Sequence, residues 1–230
     1  MEYVAVLSGG QDSSTVLAHT MQADEHRTVK HAVNFHYGQR HAVERDCARW
    51  WCEEFGIELH EIEVSSLREV GNSQLIDTDG EVSASHPAYD GLPASFVPGR
   101  NLVMFTVAAA LAVKVGAGGI LSGVCQRDYS GYPDCRAGTL MAVEESVRRG
   151  MDFPTFDIYA PLLDKTKADT WAMADAIGRV PDVIEHTHTC YEGDRTRHEW
   201  GYGCGECPAC KIRKKGYYEW LDTVDTMVHN

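Results

Sequence analysis

Leu7-Ser-Gly-Gly-Gln-Asp-Ser13 decides the fold of this chain, because the apolar run Tyr3 to Leu7 leads directly into a glycine-rich turn. Gly9 and Gly10 allow the backbone to turn sharply and to approach an anion closely. Ser13 and Ser14 then open a helix whose unpaired N–H groups point at the same place. The stretch therefore predicts a strand, a phosphate-binding loop and a helix.

The spacing of this loop separates it from two other nucleotide-binding loops. A Walker A loop has four residues between its glycines and ends in Lys-Ser or Lys-Thr, and the dinucleotide turn reads G-x-G-x-x-G. Neither pattern is present in residues 7–13. Taken alone, the turn could also be a simple structural link between a strand and a helix.

Outward from the loop, strand-like and helix-like segments alternate. The apolar patterns predict strands at 3–7, 29–35, 57–64 and 119–122, and helices at 13–21, 40–55, 101–115, 139–149 and 167–178. Residues 65–95, rich in Gly, Ser, Asp and Pro, are predicted to form a long functional loop. The alternation predicts an α/β, Rossmann-like parallel sheet with helices on both faces. Ligands of such sheets bind at the carboxyl ends of the strands, where residues 8–13 fall.

Composition and charge narrow the class of protein. The 230 residues are 43% hydrophobic, enough for a buried core in one domain with an appended element. The net charge of −13 repels phosphate backbones and argues against nucleic acid as a partner. Lys211, Arg213, Lys214 and Lys215 are predicted to form a solvated helix start. We find neither an apolar window of about 18 residues nor a signal-like start, so a cytoplasmic location is expected.

The spacing of the eight cysteines indicates a metal site rather than disulfides. Cys204, Cys207 and Cys210 form C-x2-C-x2-C, and Cys190 lies upstream. Four thiolates in tight turns are typical of a closed, structural Zn²⁺ site. An iron–sulfur cluster could use the same ligands. The nearby histidines His186, His188 and His198 are predicted to be surface residues.

Two further segments carry functional groups. In Phe96-Val-Pro-Gly-Arg-Asn101, a turn places Arg100 and Asn101 at a helix N-terminus, which suits a carboxylate or phosphate, although Asn101 could simply cap the helix. Residues 123–136 follow a predicted strand and concentrate polar and aromatic side chains that could bind a planar ring. These side chains are Asp128, Tyr129, Tyr132 and Asp134.

Taken together, these motifs resemble a known family. The loop of residues 8–13 resembles the S-G-G-x-D-S signature of the PP-loop ATP pyrophosphatases. The loop is accompanied by Tyr37-Gly-Gln-Arg-His41, residues 96–101, residues 128–136, Lys167-Ala-Asp-Thr-Trp171 and the zinc cysteines. From about residue 4 to residue 216, this combination resembles the 7-cyano-7-deazaguanine synthases. The PP-loop is shared by many enzymes, whereas the Ser-Gly-Tyr-Pro-Asp-Cys-Arg segment and the cysteine spacing are specific.

The resemblance implies a fold and an activity. The fold is an adenine nucleotide α-hydrolase-like sheet, with a PP-loop domain at 1–180 and a zinc-binding C-terminal element at 181–230 packed on it. The activity is an ATP-dependent ligation that converts 7-carboxy-7-deazaguanine and ammonia to the nitrile 7-cyano-7-deazaguanine (preQ0), through adenylated acid and amide intermediates. It implies ATP with Mg²⁺, structural Zn²⁺, free ammonia, a homodimer, and no direct contact with nucleic acid or membrane.

The same resemblance assigns the site residues. The catalytic residues are Lys167, Arg100 and Asp12. ATP binds to Leu7, Ser8, Gly9, Gly10, Gln11, Asp12, Ser13 and Ser14. The substrate binds to Tyr37, Gln39, Arg40, Arg100, Asn101, Asp128, Tyr132 and Asp134. The metal ligands are Cys190, Cys204, Cys207 and Cys210.

The chain also departs from the family pattern. Where the family typically reads Gly-Val-Cys-Glu-Thr-Asp, this chain has Gln126 and Arg127. This change in charge leaves open a one-step variant that stops at 7-amido-7-deazaguanine. Two other classes also remain: an RNA thiolase that uses Cys125 and Cys135, and a zinc-ribbon binding module with an inactive nucleotide site.

Overall fold

The computed structural model describes residues 1–38, 43–70, 91–92, 94–127 and 132–228. Within them, a parallel sheet has the strand order β3-β2-β1-β4-β5. Its strands are β1 Glu2–Val6, β2 Thr28–His36, β3 Glu58–Glu63, β4 Gly119–Ser122 and β5 Asp157–Tyr159. The α/β fold predicted from the sequence is thereby confirmed.

Helices cover both faces of this sheet. They are α1 Gln11–Ala23, α2 Val43–Phe55, α3 Ser66–Val70, α4 Arg100–Val115, α5 Ala137–Gly150, α6 Lys167–Ala176, α7 Val180–Glu185 and α8 Pro208–Val228. Helices α1, α2, α6, α7 and α8 pack on one face, and α3, α4 and α5 pack on the other. No helix in the described part of the chain is long and apolar enough to cross a membrane.

The two hydrophobic cores follow from the alternation of side chains along the strands. In β1, Tyr3 and Ala5 belong to the core under α1, whereas Val4 belongs to the core under α4. Successive residues of a strand point to opposite faces, so a strand that is covered on both faces must be apolar throughout. The four residues of β4 are all buried, in agreement with its central place.

Several described elements differ from the prediction, among them α7 and the two short strands between α7 and α8, which were not predicted. Strand β5 was not predicted, because three residues, Asp157–Tyr159, are too few to show a period. Helix α3 begins inside the segment predicted as a long loop, and its Leu67 is buried in the core on the α4 face, to which Phe35 also belongs. Residues 71–90, most of the predicted loop, lie outside the described residues.

The C-terminal part of the chain packs on the α1 face. Strands β6 Arg197–His198 and β7 Gly201–Tyr202 form an antiparallel pair before α8. The indole of Trp171 in α6 contacts the rings of Tyr217 and Trp220 in α8. Residues 181–228 therefore share a hydrophobic core with the sheet.

One expectation about α8 is wrong. Arg213 is not solvated but 1% exposed, and its guanidinium donates hydrogen bonds to the carbonyls of Trp200 at 2.8 Å and Val183 at 3.0 Å. It lies three residues after Cys210 and seven before Trp220, which are both buried. Helical spacing places these three residues on the same face, so packing of α8 buries the cation with its neighbours.

The strand order places a crevice at the carboxyl end of β1. The chain runs from β1 outward to β2 and β3, and then crosses to β4 on the other side of β1. Ligands of open α/β sheets bind at such a switch point. Here the first turn of α1 and the loop after β4 touch, since a Cβ on Gly123 would lie 2.6 Å from the Ser13 nitrogen.

Candidate active site

Hydrogen bonds from side chains fix the conformation of the loop after β1. The Asn34 amide in β2 donates to the carbonyl oxygens of Leu7 at 2.7 Å and Ser8 at 3.3 Å. The hydroxyls of Ser8 and Ser13 lie 3.0 Å apart, and the Ser8 hydroxyl accepts the Gly10 N–H at 3.2 Å. Gly10 is the N-cap of α1 and has no side-chain cap, so the first turn of α1 leaves N–H groups for an anion.

Gly9 fixes the path of this loop. Its φ is +88°, and a Cβ would lie 1.9 Å from the backbone carbonyl oxygen of Glu44 in α2. Because the clash is with backbone, α2 or the loop would have to move. The sequence predicted a sharp turn at Gly9. In the fold, this turn brings Gly9 against the backbone of Glu44.

We predict that Gly9→Ala weakens ATP binding by about tenfold or more, because strain and clash together displace the loop. Gly178→Ala is the matched control, since Gly178 has φ +69° and open space around its Cβ position. Isothermal titration with ATP would measure the difference. Equal ATP affinity in both variants would show that the contact with Glu44 does not position the loop.

An ion pair lies beside the loop. The Lys167 ammonium is 2.7 and 2.6 Å from the two carboxylate oxygens of Asp12 in the first turn of α1. Lys167 is the first residue of α6, where Thr166 and Asp169 form a capping box. The cap fixes the start of α6 and holds the Lys167 side chain, 11% exposed, over the loop.

The loop, the ion pair and Arg100 line one cavity of about 330 Å³. That size suits a small-molecule site. The polar residues that line it are Ser8, Gln11, Asp12, Ser13, Asn34, Tyr37, Glu44, Arg100, Asn101, Ser122, Tyr132, Lys167, Thr189, Tyr191 and Arg213. Gln11 is 1% exposed, and neither polar atom of its amide has a hydrogen-bond partner among the described residues, which leaves the amide for a ligand.

Arg100 lies beside two aromatic rings of the cavity lining. Its guanidinium carbon lies 5.9 Å from the Tyr37 ring centre and 5.7 Å from that of Tyr132. Burial opposes the charge of Arg100, yet interactions with Tyr37, Tyr132 and Asp134 raise its pKa above the usual value. A cation among aromatic rings in a cleft can bind an anionic group of a flat ligand.

A carboxyl group that the sequence analysis missed lies in the same cavity. Glu44 in α2 lines the cleft, and burial raises its pKa to about 7, although Arg100 opposes the shift. Asp12 and Glu44 are the two acidic residues of the lining within the described part of the chain. Glu44 lies four residues before Ala48 and seven before Trp51, both fully buried, and this helical spacing was the available signal.

Only some of the predicted substrate-binding residues line the cavity. Tyr37, Arg100, Asn101 and Tyr132 line the cavity. Asp134 does not: it is 5% exposed and its carboxylate accepts the Asn101 backbone N–H at 3.1 Å, so it caps α4. The predicted residues Gln39, Arg40 and Asp128 lie outside the described residues.

The two departures from the family pattern lie beside the cavity rather than in its lining. The Gln126 amide donates to the Asp164 carboxylate, and its oxygen accepts the Ala137 N–H at 3.1 Å at the start of α5. Arg127 is exposed and donates to the Asp164 carbonyl at 3.2 Å. An ionised glutamate at position 126 could not donate to Asp164, so this hydrogen bond explains why a glutamine stands there.

The four predicted metal ligands converge. The sulfurs of Cys190, Cys204, Cys207 and Cys210 all lie within 4.8 Å of one another. The Cys204 and Cys210 sulfurs are 4.0 Å apart, close to the separation of about 3.8 Å that bonds of about 2.3 Å to one tetrahedral ion require. The Cys207 N–H points at the Cys204 sulfur at 3.2 Å, as expected for a thiolate acceptor. The group fits one tetrahedral ion, and it leaves no open position.

The segment before Cys190 supports the phosphate-binding loop. The His188 N–H donates to the Gly9 carbonyl at 3.0 Å, and the Thr189 methyl would lie 3.2 Å from a Cβ on Gly10. His188 is 1% exposed, so its predicted surface position is wrong. His186 and His198 are also not free on the surface, since their rings stack on Trp50 and Trp200.

The chain matches the family model described as "Queuosine biosynthesis protein QueC" over residues 2–221. It is 44% identical over 233 residues to a 7-cyano-7-deazaguanine synthase of Nitrobacter hamburgensis, covering 95% of this chain and 94% of that protein. It is 45% identical over 229 residues to one of Alkalilimnicola ehrlichii, covering 93% and 92%.

Among solved structures, a U34-tRNA thiolase, NcsA from Methanococcus maripaludis with its 4Fe-4S cluster, matches with a TM-score of 0.48 and 14% identity. The match covers 94% of this chain and 64% of that chain. A likeness at this level carries no argument about this chain.

Proposed function

The chain belongs to the QueC family of queuosine biosynthesis proteins, and we propose that it converts 7-carboxy-7-deazaguanine to 7-cyano-7-deazaguanine with ATP and ammonia. The observation that carries the proposal is the single cavity that contains both an anion-binding loop with its Lys167–Asp12 pair and the Arg100 aromatic pocket. The first suits the phosphates of ATP and the second suits a flat acid. This arrangement supports binding of the acid with its carboxylate next to the α-phosphate of ATP.

The first half of the reaction activates the acid. A substrate carboxylate oxygen attacks the α-phosphate, the bond to the β-phosphate breaks, and pyrophosphate leaves with an acyl adenylate remaining. The loop N–H groups and Lys167 stabilise the charge on the phosphates, and Arg100 orients the acid. Mg²⁺, for which Asp12 offers a carboxylate, would neutralise further phosphate charge when bound.

The second half forms the new bonds to nitrogen. Ammonia attacks the acyl carbon, AMP leaves, and one proton is released as the amide forms. The amide oxygen then attacks the α-phosphate of a second ATP, and pyrophosphate and one amide proton leave. Loss of AMP together with the remaining N–H proton yields the nitrile. Glu44 is the group we assign to accept the proton from the attacking ammonia, because the other acid of the described lining, Asp12, is held by Lys167.

Glu44→Gln is therefore predicted to slow amide formation far more than adenylation of the acid. ATP–pyrophosphate exchange with the acid should stay within a few-fold of wild type, because adenylation releases no proton from the substrate carboxylate. Amide formation should fall by about a hundredfold or more. Glu44→Asp is the matched control, and it should recover part of the rate. A parallel loss of exchange and amide formation would show that Glu44 serves the ATP step or the fold instead.

The metal that we assign to the cysteine cluster is Zn²⁺. Support comes from the four sulfurs that fit one tetrahedral ion, since an iron–sulfur cluster would divide the four thiolates among two or four irons and hold some of the sulfurs further apart. Zn²⁺ in a closed four-thiolate site supplies folding energy and no reactive position. Its contribution to the reaction is to keep residues 188–190 against the loop.

Mass spectrometry of the product tests the proposed function. Purified protein with 7-carboxy-7-deazaguanine, ATP, Mg²⁺ and ammonium should give the nitrile, because Gln126 and Arg127 do not line the cavity. Accumulation of the amide would instead identify the one-step variant. Absence of both products would contradict the proposal, and alkylation of Cys125 and Cys135, which both line the cavity, would then test the RNA thiolase.

The remaining expectations are a homodimer and a cytoplasmic location. We propose that the dimer forms through α4, because Leu102 and Val113 are 41% and 49% exposed and lie three helical turns apart. Light scattering during gel filtration should give twice the chain mass for wild type. A Leu102→Glu, Val113→Glu variant should give the chain mass, and an unchanged mass would exclude this surface.

A further inference from the structure

Two histidines and a glutamate cluster on β2 and β3, at the end of the sheet away from the cavity. Glu58 on β3 pairs with His31 on β2, and His60 follows Glu58 by two residues. Paired positions and alternate positions of a strand point to the same face. That face also carries Val33 and Ile62, which belong to the core under α4. The backbone alone therefore brings the three side chains together.

The donor atoms of this cluster form a compact triangle. His31 Nδ1 lies 3.2 Å from His60 Nε2 and 3.4 Å from Glu58 Oε2. His60 Nε2 lies 3.7 Å from Glu58 Oε1. One tetrahedral ion with bonds of about 2.0 to 2.2 Å holds its donor atoms about 3.3 to 3.6 Å apart. A hydrogen bond between the imidazoles accounts for the His31–His60 edge, and the two edges to Glu58 are ion pairs only when the histidines are protonated.

We propose that His31, Glu58 and His60 form a second metal site, which binds one divalent first-row transition-metal ion such as Zn²⁺ or Co²⁺. Imidazole and carboxylate donors suit these ions. Both imidazoles are 20% exposed and Glu58 is 66% exposed, so solvent can reach the cluster and fill the remaining coordination position. Apart from the four cysteines, it is the one group of potential metal ligands found in the described part of the chain.

The position of the site gives it a physical effect. β3 is the edge strand of the described sheet, and both Glu58 and His60 belong to it. An ion bound to both strands would cross-link the edge to β2. Because the ion binds the folded chain, it should raise the thermal midpoint of unfolding. This effect is independent of the proposed enzymatic function.

Titration with Co²⁺ tests the proposal on protein whose cysteine site is already filled with Zn²⁺. Wild type should bind one further Co²⁺ per chain, with the weak visible absorption of nitrogen and oxygen ligands and no thiolate-to-cobalt band. His31→Ala and His60→Ala should each lose at least about tenfold in Co²⁺ affinity. Glu58→Gln, at an exposed position, should lose affinity without any change in the metal-free thermal midpoint.

His26→Ala is the matched control, because His26 is an exposed histidine in the connection between α1 and β2. It should bind Co²⁺ as wild type does. The proposal is overturned if wild type takes up no Co²⁺ beyond the thiolate site. It is equally overturned if His31→Ala, His60→Ala and Glu58→Gln, with unchanged midpoints, bind Co²⁺ as tightly as the control.

Discussion

Lys167→Met is expected to lower kcat/KM for ATP by about a hundredfold to a thousandfold, the usual loss when one group that stabilises transition-state charge is removed. The Lys167 ammonium lies 2.6 Å from Asp12, at the edge of the phosphate-binding loop. Methionine keeps the unbranched stem that packs near Gly216 of α8. It removes the positive charge closest to the Asp12 carboxylate, so repulsion between this carboxylate and the ATP phosphates adds to the expected loss.

Lys165→Met is the matched control for this prediction. Lys165 is exposed, lies two residues from Lys167, and does not line the cavity. Its replacement should leave kcat/KM within about twofold of wild type. Steady-state rates of pyrophosphate release would measure both variants. Similar rates for Lys167→Met and wild type would exclude Lys167 from the chemistry and leave it a role in packing.

Cys210→Ser is expected to give the largest loss of stability, about 3 kcal/mol or more, which corresponds to about 10 °C in the midpoint. Cys210 is fully buried, and its sulfur lies 4.0 Å from that of Cys204. Loss of one thiolate weakens metal binding, and metal binding to the native state is folding energy. Thermal unfolding with and without a chelator would measure the effect.

Loss of the metal should also weaken ATP binding, because His188 and Thr189 connect Cys190 to Gly9 and Gly10. We expect KM for ATP to rise in Cys210→Ser before the maximal rate falls. Cys47→Ser is the control, since Cys47 is a free cysteine in α2 outside the metal cluster. Equal midpoints for wild type with and without chelator would contradict the structural role of the metal.

Local sequence was sufficient for the features that depend on nearby residues. The order of strand, loop and helix around Gly9 and Gly10 follows from backbone freedom and helix termini, so residues 1–23 were predicted closely. The three cysteines 204, 207 and 210 are neighbours in sequence, and their spacing already brings the thiolates together. The parallel sheet followed from the alternation of elements.

The sequence by itself thus determined the fold class, the glycine-rich turn between β1 and α1, and the four cysteines that converge. The roles of Lys167 and Arg100 as cations of the site stay predictions. Only the tertiary structure decided which polar side chains enter the cavity and which serve the fold. Arg213 belongs to a run of charges but is buried by the packing of α8, whereas Asp134 caps α4 instead of facing a ligand. Glu44 reaches the cavity because α2 packs beside Gly9. The physical reason is that burial and partners of a polar group depend on residues distant in sequence, which no local pattern contains.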